Sequence, residues 1–532
     1  FNPTVAEHGW DTGHTVVQIV VEDMPFLVDT GTLALAEIGL GIHLIIHPVI
    51  RVSRDRQGKL KALHDKKSGR GKAESVIQFQ VDRRTSAVDH EEIEGRLVAA
   101  MEDVRSAVAD WKAMESSAVD AETRLQEWAG GLEEEWLDES RAFLRWLLDD
   151  NFVFLGVRDY RVARGKKQYE LQLVEGSGLG ILRETPDTVR ARPLTSLAEV
   201  ARKRGQPIPL IITKTNARST VHRAGYLDYI GVLKFDKQGR TIAERRFLGL
   251  FTSTAYNIAA MDTPMARVRM QKILEQSSLV PGSHAWKRMV HILETLPRDE
   301  LLQASSRELR DISVGILNLQ ERKRVRLFIR RERFCRFYSF IVYLPREQFN
   351  TENREAVQAI LRRALKGGRL DYSVMVSESP LARLHVIVRP KPGATVEFDV
   401  AALEQKIVEA VRSWSDELRG ILVEKLGEET GLHYAERFGK AFPEAYKEDV
   451  SPWVAAFDVE NAAAVDDGEA LRMSLYRPRK RRGGIFRFKI FRKDAPIPLS
   501  NVLPMLENLG LHIVSERPYE LHLPDGRPQM LL

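Results

Sequence analysis

The chain has 532 residues, which at about 150 per domain leaves room for three to four separately cored domains and is too long for one compact fold. Hydrophobic residues make up 43% and charged residues 29%, with 35 Gly and 23 Pro, which excludes disordered, collagen-like and low-complexity classes. The 80 basic residues exceed the 74 acidic by only +6, too thin a surplus to argue for nucleic acid; one cysteine, Cys335, excludes a disulfide framework or Cys-rich zinc module and suits a reducing compartment; no apolar run approaches the ~18 residues needed to cross a bilayer.

Thr15–Val21 reads as a strand, broken by Asp23-Met24-Pro25, and Phe26–Ile38 carries Leu27, Thr30, Leu33, Ala34 and Ile38 at helical spacing. Gly39 sits where a helix ends in the left-handed conformation. Ile42–Val52 predicts a second strand and Ser75–Arg83 a third, with Ile77, Phe79 and Val81 alternating against Val76, Gln78 and Gln80. The charged, glycine-containing stretch between them, Ser53 to Lys72, reads as a solvated connection. Glu91–Trp111 closes the unit as an amphipathic helix through Ile93, Leu97, Ala100, Val104, Val108 and Trp111. The order β-α-β-β-α puts helices on one side of an antiparallel sheet, a split βαβ arrangement.

Residues 114–130 show no periodicity and read as a linker, followed by a helix over Leu132–Asp149. From Asn151 the period becomes two: Phe152–Val162, Gln168–Val174, Leu210–Thr215, Tyr229–Phe235 and Arg245–Phe251 predict strands, with a hairpin turn at Asp236–Gly239. Met265–Ile273, Ala285–Thr295 and Arg307–Glu321 predict helices. The first pattern then returns: strands at Val325–Arg330 and Arg336–Tyr343, a helix over Thr351–Leu365 ended by Gly367-Gly368, strands at Leu370–Ser377 and Leu384–Val388, and a helix over Val400–Trp414. Residues 416–475 mix helix and loop, with Ala462–Glu469 as a connector. Last come a strand at Ile485–Phe491, a helix over Ser500–Leu509, a strand at Leu511–Glu516, and a hairpin of Tyr519–Leu523 with Met530–Leu532 about Pro524-Asp525-Gly526. Leu35, Ile38, Gly39, Leu40 and Ile42 align with Leu506, Leu509, Gly510, Leu511 and Ile513, so one helix-glycine-strand corner is written twice. Three β-α-β-β-α units, the last cut short, predict a regulatory or interaction array.

Several constellations invite a chemical reading. Glu175-Gly176-Ser177-Gly178-Leu179-Gly180 resembles a dinucleotide loop, but Ile181-Leu182-Arg183-Glu184-Thr185-Pro186 cannot open the helix that must meet a pyrophosphate, so a turn is favoured. His43 and His47 lie four apart on a strand, ~13 Å, too far to chelate one ion. Ser219, His222 and Asp228 are the residue types of a nucleophile triad without a nucleophile elbow; a polar, basic loop packed on a neighbouring module is favoured. The block Arg477-Pro478-Arg479-Lys480-Arg481-Arg482 with Arg487, Lys489, Arg492 and Lys493 interleaves Phe486, Phe488 and Phe491, as an RNA-stacking sheet would. Phe486, Phe488 and Ile490 share one face, however, and are expected to be its buried side. The most informative spot is Asp23-Met24-Pro25-Phe26-Leu27: an Asp-x-Pro break leaves the first N–H groups of a helix free to hold a small carboxylate. Its counterpart in the last unit is Pro498-Leu499-Ser500, with Ser500 or Asn501 as cap.

Asp23 through Asp29, His43 through Val52, Asp149 through Gly156, Ser219 through Arg223, Arg245 through Ser253, Pro297 through Leu301, Tyr343-Leu344-Pro345-Arg346 and Leu503 through Gly510 together resemble the large-subunit bacterial NAD-specific glutamate dehydrogenases. The resemblance implies an N-terminal regulatory region of α+β, multi-domain build: several ACT-like (ferredoxin-like βαββαβ) modules, a β-rich PAS-like domain and connecting helices. On it the chain divides into an ACT-like module at 1–115, a linker helix at 116–150, the PAS-like domain at 151–264, a helical connector at 265–322, a second module at 323–425, a helical linker at 426–475 and a truncated third module at 476–532. It implies that the intact protein oxidises L-glutamate with NAD, both bound outside this segment, which carries no catalytic, cofactor-binding or metal residue. Effector-binding residues are expected at Asp23, Met24, Pro25, Phe26, Leu27, Pro498, Leu499 and Ser500. ACT modules that bind amino acids usually carry glycine where Phe26 stands, so the ring is expected to fill the effector pocket. Implied partners are copies of the same chain, its own C-terminal catalytic region and a small-molecule effector, with neither nucleic acid nor membrane. Phe1 opens no signal peptide, and the chain is expected to be a piece of a longer cytoplasmic protein. An RNA-binding array of βαββαβ modules is the alternative.

Overall fold

The computed structural model describes residues 1–65, 69–129, 132–164, 169–183, 194–195, 209–319, 322, 324–377, 379–391, 396–477, 486–493, 498–523 and 528–531. The chain divides into two compact units, one of Phe1–Arg322 with Phe328–Phe340 and one of Lys323–Leu327 with Ile341–Leu532.

The first unit opens with α1 (Val5–His8), β1 (Thr15–Glu22), α2 (Leu27–Glu37), β2 (Ile42–Ile46), β3 (Val49–Arg54), β4 (Leu60–His64), β5 (Lys72–Val81) and α3 (Ala87–Ala109). β5 is the central strand: β1 pairs along one side of it, β2 and β3 along the other, and β4 pairs with β3, all antiparallel. The expected single strand Ile42–Val52 is two strands, because His47-Pro48 interrupts it and proline has no N–H for the ladder. The expected connection Ser53–Lys72 holds the exposed strand β4. One face of the sheet is the core: Ile77, Phe79 and Val81 are buried with Leu33 of α2 and Ile93, Leu97 and Val104 of α3, as the alternation predicts. Gly31 lets α2 come close, since a Cβ there would meet the Phe79 ring at 2.8 Å.

Residues 114–130, expected as a linker, contain α4 (Trp111–Thr123) and α5 (Leu125–Ala129). Their buried face is Met114, Ala118, Ala121, Leu125, Trp128 and Ala129, a helical spacing written in alanine and so lacking large aliphatics. After α6 (Glu134–Trp146) and one π-helical turn, Leu147–Asn151, come β6 (Phe152–Arg164), β7 (Tyr169–Leu173), β8 (Leu179–Gly180), β9 (Leu194–Thr195), β10 (Leu210–Arg218), β11 (Tyr226–Phe235) and β12 (Thr241–Phe251). They form a seven-stranded sheet of order β10-β11-β12-β6-β7-β9, with β8 beside β6. Only one residue of β11 escapes full burial, so both faces of this sheet are covered. The helices α7 (Ser253–Asn257), α8 (Ala266–Glu275), α9 (His284–Thr295), α10 (Arg298–Gln303) and α11 (Ser306–Leu319) follow.

Next come β13 (Arg326–Arg331), β14 (Tyr338–Pro345), α12 (Thr351–Ala364), β15 (Gly367–Met375), β16 (Leu381–Pro390) and α13 (Val400–Ala410), with sheet order β13-β14-β16-β15. The left-handed residue that closes α12 is Lys366 at φ +47°, and Gly367-Gly368 already lie in β15 rather than ending the helix. The expected helix Val400–Trp414 stops at Ala410, and Ser413 caps a new one with a reciprocal Asp416 box. That helix, α14 (Trp414–Leu426), leads to α15 (Glu428–Phe438), α16 (Glu444–Asp449) and α17 (Pro452–Asp466). Ala462–Glu469, expected as a connector, is largely the end of α17: Ala462, Ala463 and Val465 are buried, small side chains serving close packing rather than looseness.

A last sheet, β17-β18-β20-β19, is built from β17 (Arg472–Tyr476), β18 (Arg487–Lys493), β19 (Tyr519–His522) and β20 (Pro528–Leu531), with α18 (Leu499–Asn508) between β18 and β19. The corner written twice in sequence is built twice: Gly39 and Gly510 take φ +75° and +77°, and Leu40 N–H and Leu511 N–H return to Leu35 and Leu506. Beyond it the copies diverge. Leu40 is 5% exposed and leads into β2, whereas Leu511 is 47% exposed and the expected strand Leu511–Glu516 is irregular, unpaired and without burial to hold it. The turn Pro524-Asp525-Gly526, the basic residues 478–482 and Ile485 lie outside the described residues. The other expected elements stand within a few residues of their bounds, and among the described residues no helix is long and apolar enough to cross a membrane.

Asp110, between α3 and α4, accepts Gly180 N–H at 2.7 Å and both Arg183 nitrogens at 2.6 Å. The Arg183 guanidinium holds its carboxyl below the usual range against the opposing effect of burial, so its contribution is complete above the ordinary carboxylate range and lost as pH falls through the lowered folded-state value. Asp110→Asn is expected to cost about 1–3 kcal/mol in urea unfolding at neutral pH. The difference from the parent chain should shrink as the medium is acidified; a pH-independent difference would assign the loss to packing.

Candidate effector site

The turn expected to hold an effector is set by its own sequence. Asp23 closes the β1 end, its N–H donating to Ala73 O and its carboxylate accepting from Ser75 Oγ at 2.6 Å, and the Ser75 hydroxyl is also 2.8 Å from His47 Nε2. Pro25 and Phe26 turn the chain, and Phe26 caps α2 at φ +72° with no side chain satisfying the first turn. Left-handed backbone costs a non-glycine residue about 1–2 kcal/mol, so Phe26 keeps the conformation that a glycine would take. Leu27 is buried beneath, Met24 is half-buried, and Asp23 and Pro25 are exposed.

The Phe26 ring meets His222, whose centroid is 4.9 Å away at 48°. His222 is itself left-handed at φ +72°, its N–H donates to Thr30 Oγ1 at 3.0 Å, and its Nδ1 lies 3.4 Å from Asp29 Oδ2. One step away, the Thr220 hydroxyl donates to Asp103 of α3 at 2.6 Å, and burial pushes the Asp103 carboxyl up despite that bond. The Ser219–His222 loop of the β-rich sheet is therefore docked on the start of α2 and the flank of α3. The turn can present N–H dipoles to an anion only beside this contact, and any ligand that moves Phe26 must disturb His222.

Ser219, His222 and Asp228 do not assemble as a triad. The Ser219 hydroxyl donates to Val221 O, His222 faces Asp29, and Asp228 binds Lys214 Nζ at 2.6 Å and Phe251 N–H at 3.0 Å. Lys214 also stands 3.5 Å from Asp299, to which Tyr256 donates, a polar cluster that runs from the buried Asp228 to the exposed Tyr256 and joins β10 and β11 to α7 and α10. Desolvation pushes the Asp228 carboxyl up. Sequence reading missed this cluster because its members come from four elements; the one local signal was Lys214 in an otherwise apolar strand.

Pro498 caps α18 without a side-chain hydrogen bond, and both Pro498 and Ser500 are exposed. Ser500 is inside the helix, not its cap; Leu499 is the first helical residue. Ala495-Pro496-Ile497 lie outside the described residues. This turn belongs to the second unit and the Asp23–Leu27 turn to the first.

His43 Nε2 lies 2.8 Å from Asp82 and its ring stacks on His14, while His47 faces Ser75, so the two imidazoles are spent separately. Among the described residues, no group of His, Cys, Asp or Glu is arranged to hold a metal. Gly176–Gly180 does not fit NAD: the segment ends in β8, no helix starts there, and the Gly180 N–H that would face a pyrophosphate is held by Asp110. The basic strand β18 meets the expectation for its faces only in part: Ile490 is buried as expected, but the two phenylalanines before it are not. Phe486 is 55% exposed and Phe488 half-buried, whereas Lys489 and Phe491 are buried, because Lys489 Nζ donates to Asp458 and Lys493 Nζ to Asp466 of α17. These lysines are partners of buried carboxylates rather than a phosphate-binding surface.

Comparison with known proteins accounts for this layout. Family models match five stretches: glutamate dehydrogenase ACT1 domain at 1–97, helical motif 1 at 263–322, ACT2 domain at 326–415, helical motif 2 at 421–465 and ACT3 domain at 470–532. The NAD-specific glutamate dehydrogenase of Halomonas elongata is 39% identical over 99% of the chain, and that of Pseudomonas aeruginosa 34% over 99%. The one from Mycobacterium tuberculosis is 29% identical over 96%. The chain spans 33%, 33% and 31% of the length of these relatives. Built from ACT domains and helical motifs of one kind of protein, the chain belongs to the glutamate dehydrogenase family.

Proposed function

We propose that the chain is the N-terminal regulatory and oligomerisation region of a cytoplasmic NAD-dependent glutamate dehydrogenase, whose intact form converts L-glutamate, water and NAD+ to 2-oxoglutarate, ammonium and NADH. One observation carries this reading: three ACT domains and two helical motifs occupy most of a chain that spans about a third of its relatives. NAD and glutamate bind outside this segment, in keeping with the poor fit of Gly176–Gly180 to a dinucleotide. The seven-stranded sheet with its flanking helices is read as the PAS-like domain.

In this reading the effector turns are Asp23–Leu27 and Pro498–Ser500, and the first is the better built. A small carboxylate at the start of α2 would meet free N–H groups and the positive end of the helix dipole, with Asp29 in the first turn opposing it. Its arrival must shift Phe26, and Phe26 is coupled through His222 and Thr220 to both the β-rich sheet and α3. Copies of the chain would associate through module surfaces. β1 suits this, since among the described residues its outer edge pairs only with Phe1 through Val16, while Val20 and Leu44 leave apolar surface exposed. The RNA-binding alternative is not favoured by any observation at β18.

Two outcomes test the reading. The 532-residue chain supplied with glutamate and NAD+ should produce no NADH, and turnover by it would place the catalytic centre inside the segment. Titration calorimetry against a panel of amino acids and nucleotides should show a ligand whose affinity rises several-fold in Phe26→Gly, because glycine keeps the positive φ and removes the ring. Heat-silent titrations of both proteins would leave only a scaffold role.

A further inference from the structure

In the first unit, β10, α8, the end of α10 and the Glu332–Arg336 turn line a small, solvent-open cleft. Arg269 of α8 lines it and is only 7% exposed. Its Nη1 donates to Leu301 O at 2.8 Å and Leu302 O at 2.9 Å, which caps α10, but its Nε and Nη2 meet no acceptor among the described residues. No carboxylate among the described residues pairs with it. The two acids nearby are taken: Glu300 holds Arg330 through two bonds of 2.5 and 2.8 Å, and Glu332 holds Arg336 at 2.9 Å while accepting from Thr213. Arg333, in the lining of the same cleft, adds positive charge, and together with burial it pushes the Arg269 guanidinium down to about 10. Across the cleft, Gln303 has a buried amide oxygen without a partner, and an amide turned about its last bond offers two N–H donors in that place.

A buried guanidinium with unused donors and an amide oxygen without a partner, both in the lining of one solvent-open cleft, are an incomplete set of partners. We propose that this cleft binds a small oxyanion, held by the free edge of Arg269 and by Gln303. The planar donor pair of a guanidinium matches two oxygens on one centre, as in carboxylate, phosphate or sulfate, better than it matches a spherical halide. This site is separate from the Asp23–Leu27 turn and does not depend on the regulatory reading.

The test uses the 532-residue chain and inorganic phosphate at constant ionic strength, with chloride as the control salt. Phosphate should raise the melting temperature along a saturating curve, with chloride giving no such curve, and Arg269→Met should weaken apparent phosphate affinity at least tenfold. Gln303→Glu supplies the missing carboxylate inside the chain: it should melt higher than the parent without phosphate and lose the phosphate response. Acetate in place of phosphate distinguishes a carboxylate from a phosphate preference, and saturable binding of either supports the site. A phosphate effect that never saturates, an equal effect of chloride, or an undiminished response in Gln303→Glu would overturn it, the last deciding the matter even if Arg269→Met does not fold.

Discussion

A row of carboxylates along α3 and α4 holds the first unit together. Asp103 takes the Thr220 hydroxyl, Asp110 takes Gly180 N–H and Arg183, and Asp120 takes Arg245 at 2.6 Å. Asp103 and Asp110 are two helical turns apart, so both face one way. All the donors belong to the β-rich sheet or its loops, whereas α3 is also the helix that buries the core face of the first sheet. One helical layer is thereby apolar toward one sheet and acidic toward the next. A hydrogen bond to a charged acceptor is worth about 1.5–3 kcal/mol when shielded from water, a condition met best at Asp110; the Asp103 and Asp120 contacts are more exposed and contribute less, but all three favour one rotation of the layer. Apolar contact alone does not specify rotation so sharply, because aliphatic side chains tolerate sliding.

The same use of charge as internal geometry explains where sequence patterning misleads. Arg246 on β12 lies between the rings of Tyr160 and Tyr229, 4.0 and 4.8 Å from their centroids, and pairs with Glu244 at 3.1 Å. Lys489 on β18 binds Asp458 beside Tyr446. An alternation rule assigns such strand positions to solvent, and for β18 it placed Ile490 correctly but not Phe486 or Lys489. A strand's burial is legible when its inward residues are aliphatic, as in β5 with Ile77, Phe79 and Val81. It is illegible when a helix above supplies the countercharge, since that helix is distant in sequence. Alanine faces fail for a related reason: Ala118, Ala121, Ala462 and Ala463 are buried by close helix approach, which a hydrophobicity pattern weights too little. The Asp-x-Pro turn and the glycine corners were legible because backbone constraint is local, and the docking of His222 on Phe26 was legible only as a basic loop meeting some neighbour.

The repeated modules show how one design takes different edges. In the orders β13-β14-β16-β15 and β17-β18-β20-β19, an extra strand that precedes the βαββ unit lies beside its first strand. In the first module that position beside β1 is met, among the described residues, only by Phe1 on Val16. The helix-glycine corner is unaffected by this difference, since Gly39 and Gly510 have nearly the same φ and the same return hydrogen bonds. What differs is the burial of the residue that follows. The corner is a property of a few backbone atoms, while the strand after it exists only where a neighbour completes its ladder.

On the proposed reading, regulation through the first module would turn on two residues in left-handed backbone that face one another. Phe26 and His222 both occupy left-handed backbone, each at a cost of about 1–2 kcal/mol, and the contacts that repay it are the ring pair, the Thr30 hydrogen bond and the Asp29 ion contact. A ligand binding equally well with this contact made or broken shifts nothing, however tightly it binds. An effector proposed for the start of α2 would therefore act only to the extent that it competes with, or is completed by, the His222 loop. That loop is tied to Asp103 on the same helical layer that carries Asp110 and Asp120. A change at Phe26 is thus imposed on the orientation of the β-rich sheet as a whole, because the layer that would have to absorb it is held at several further points by charge.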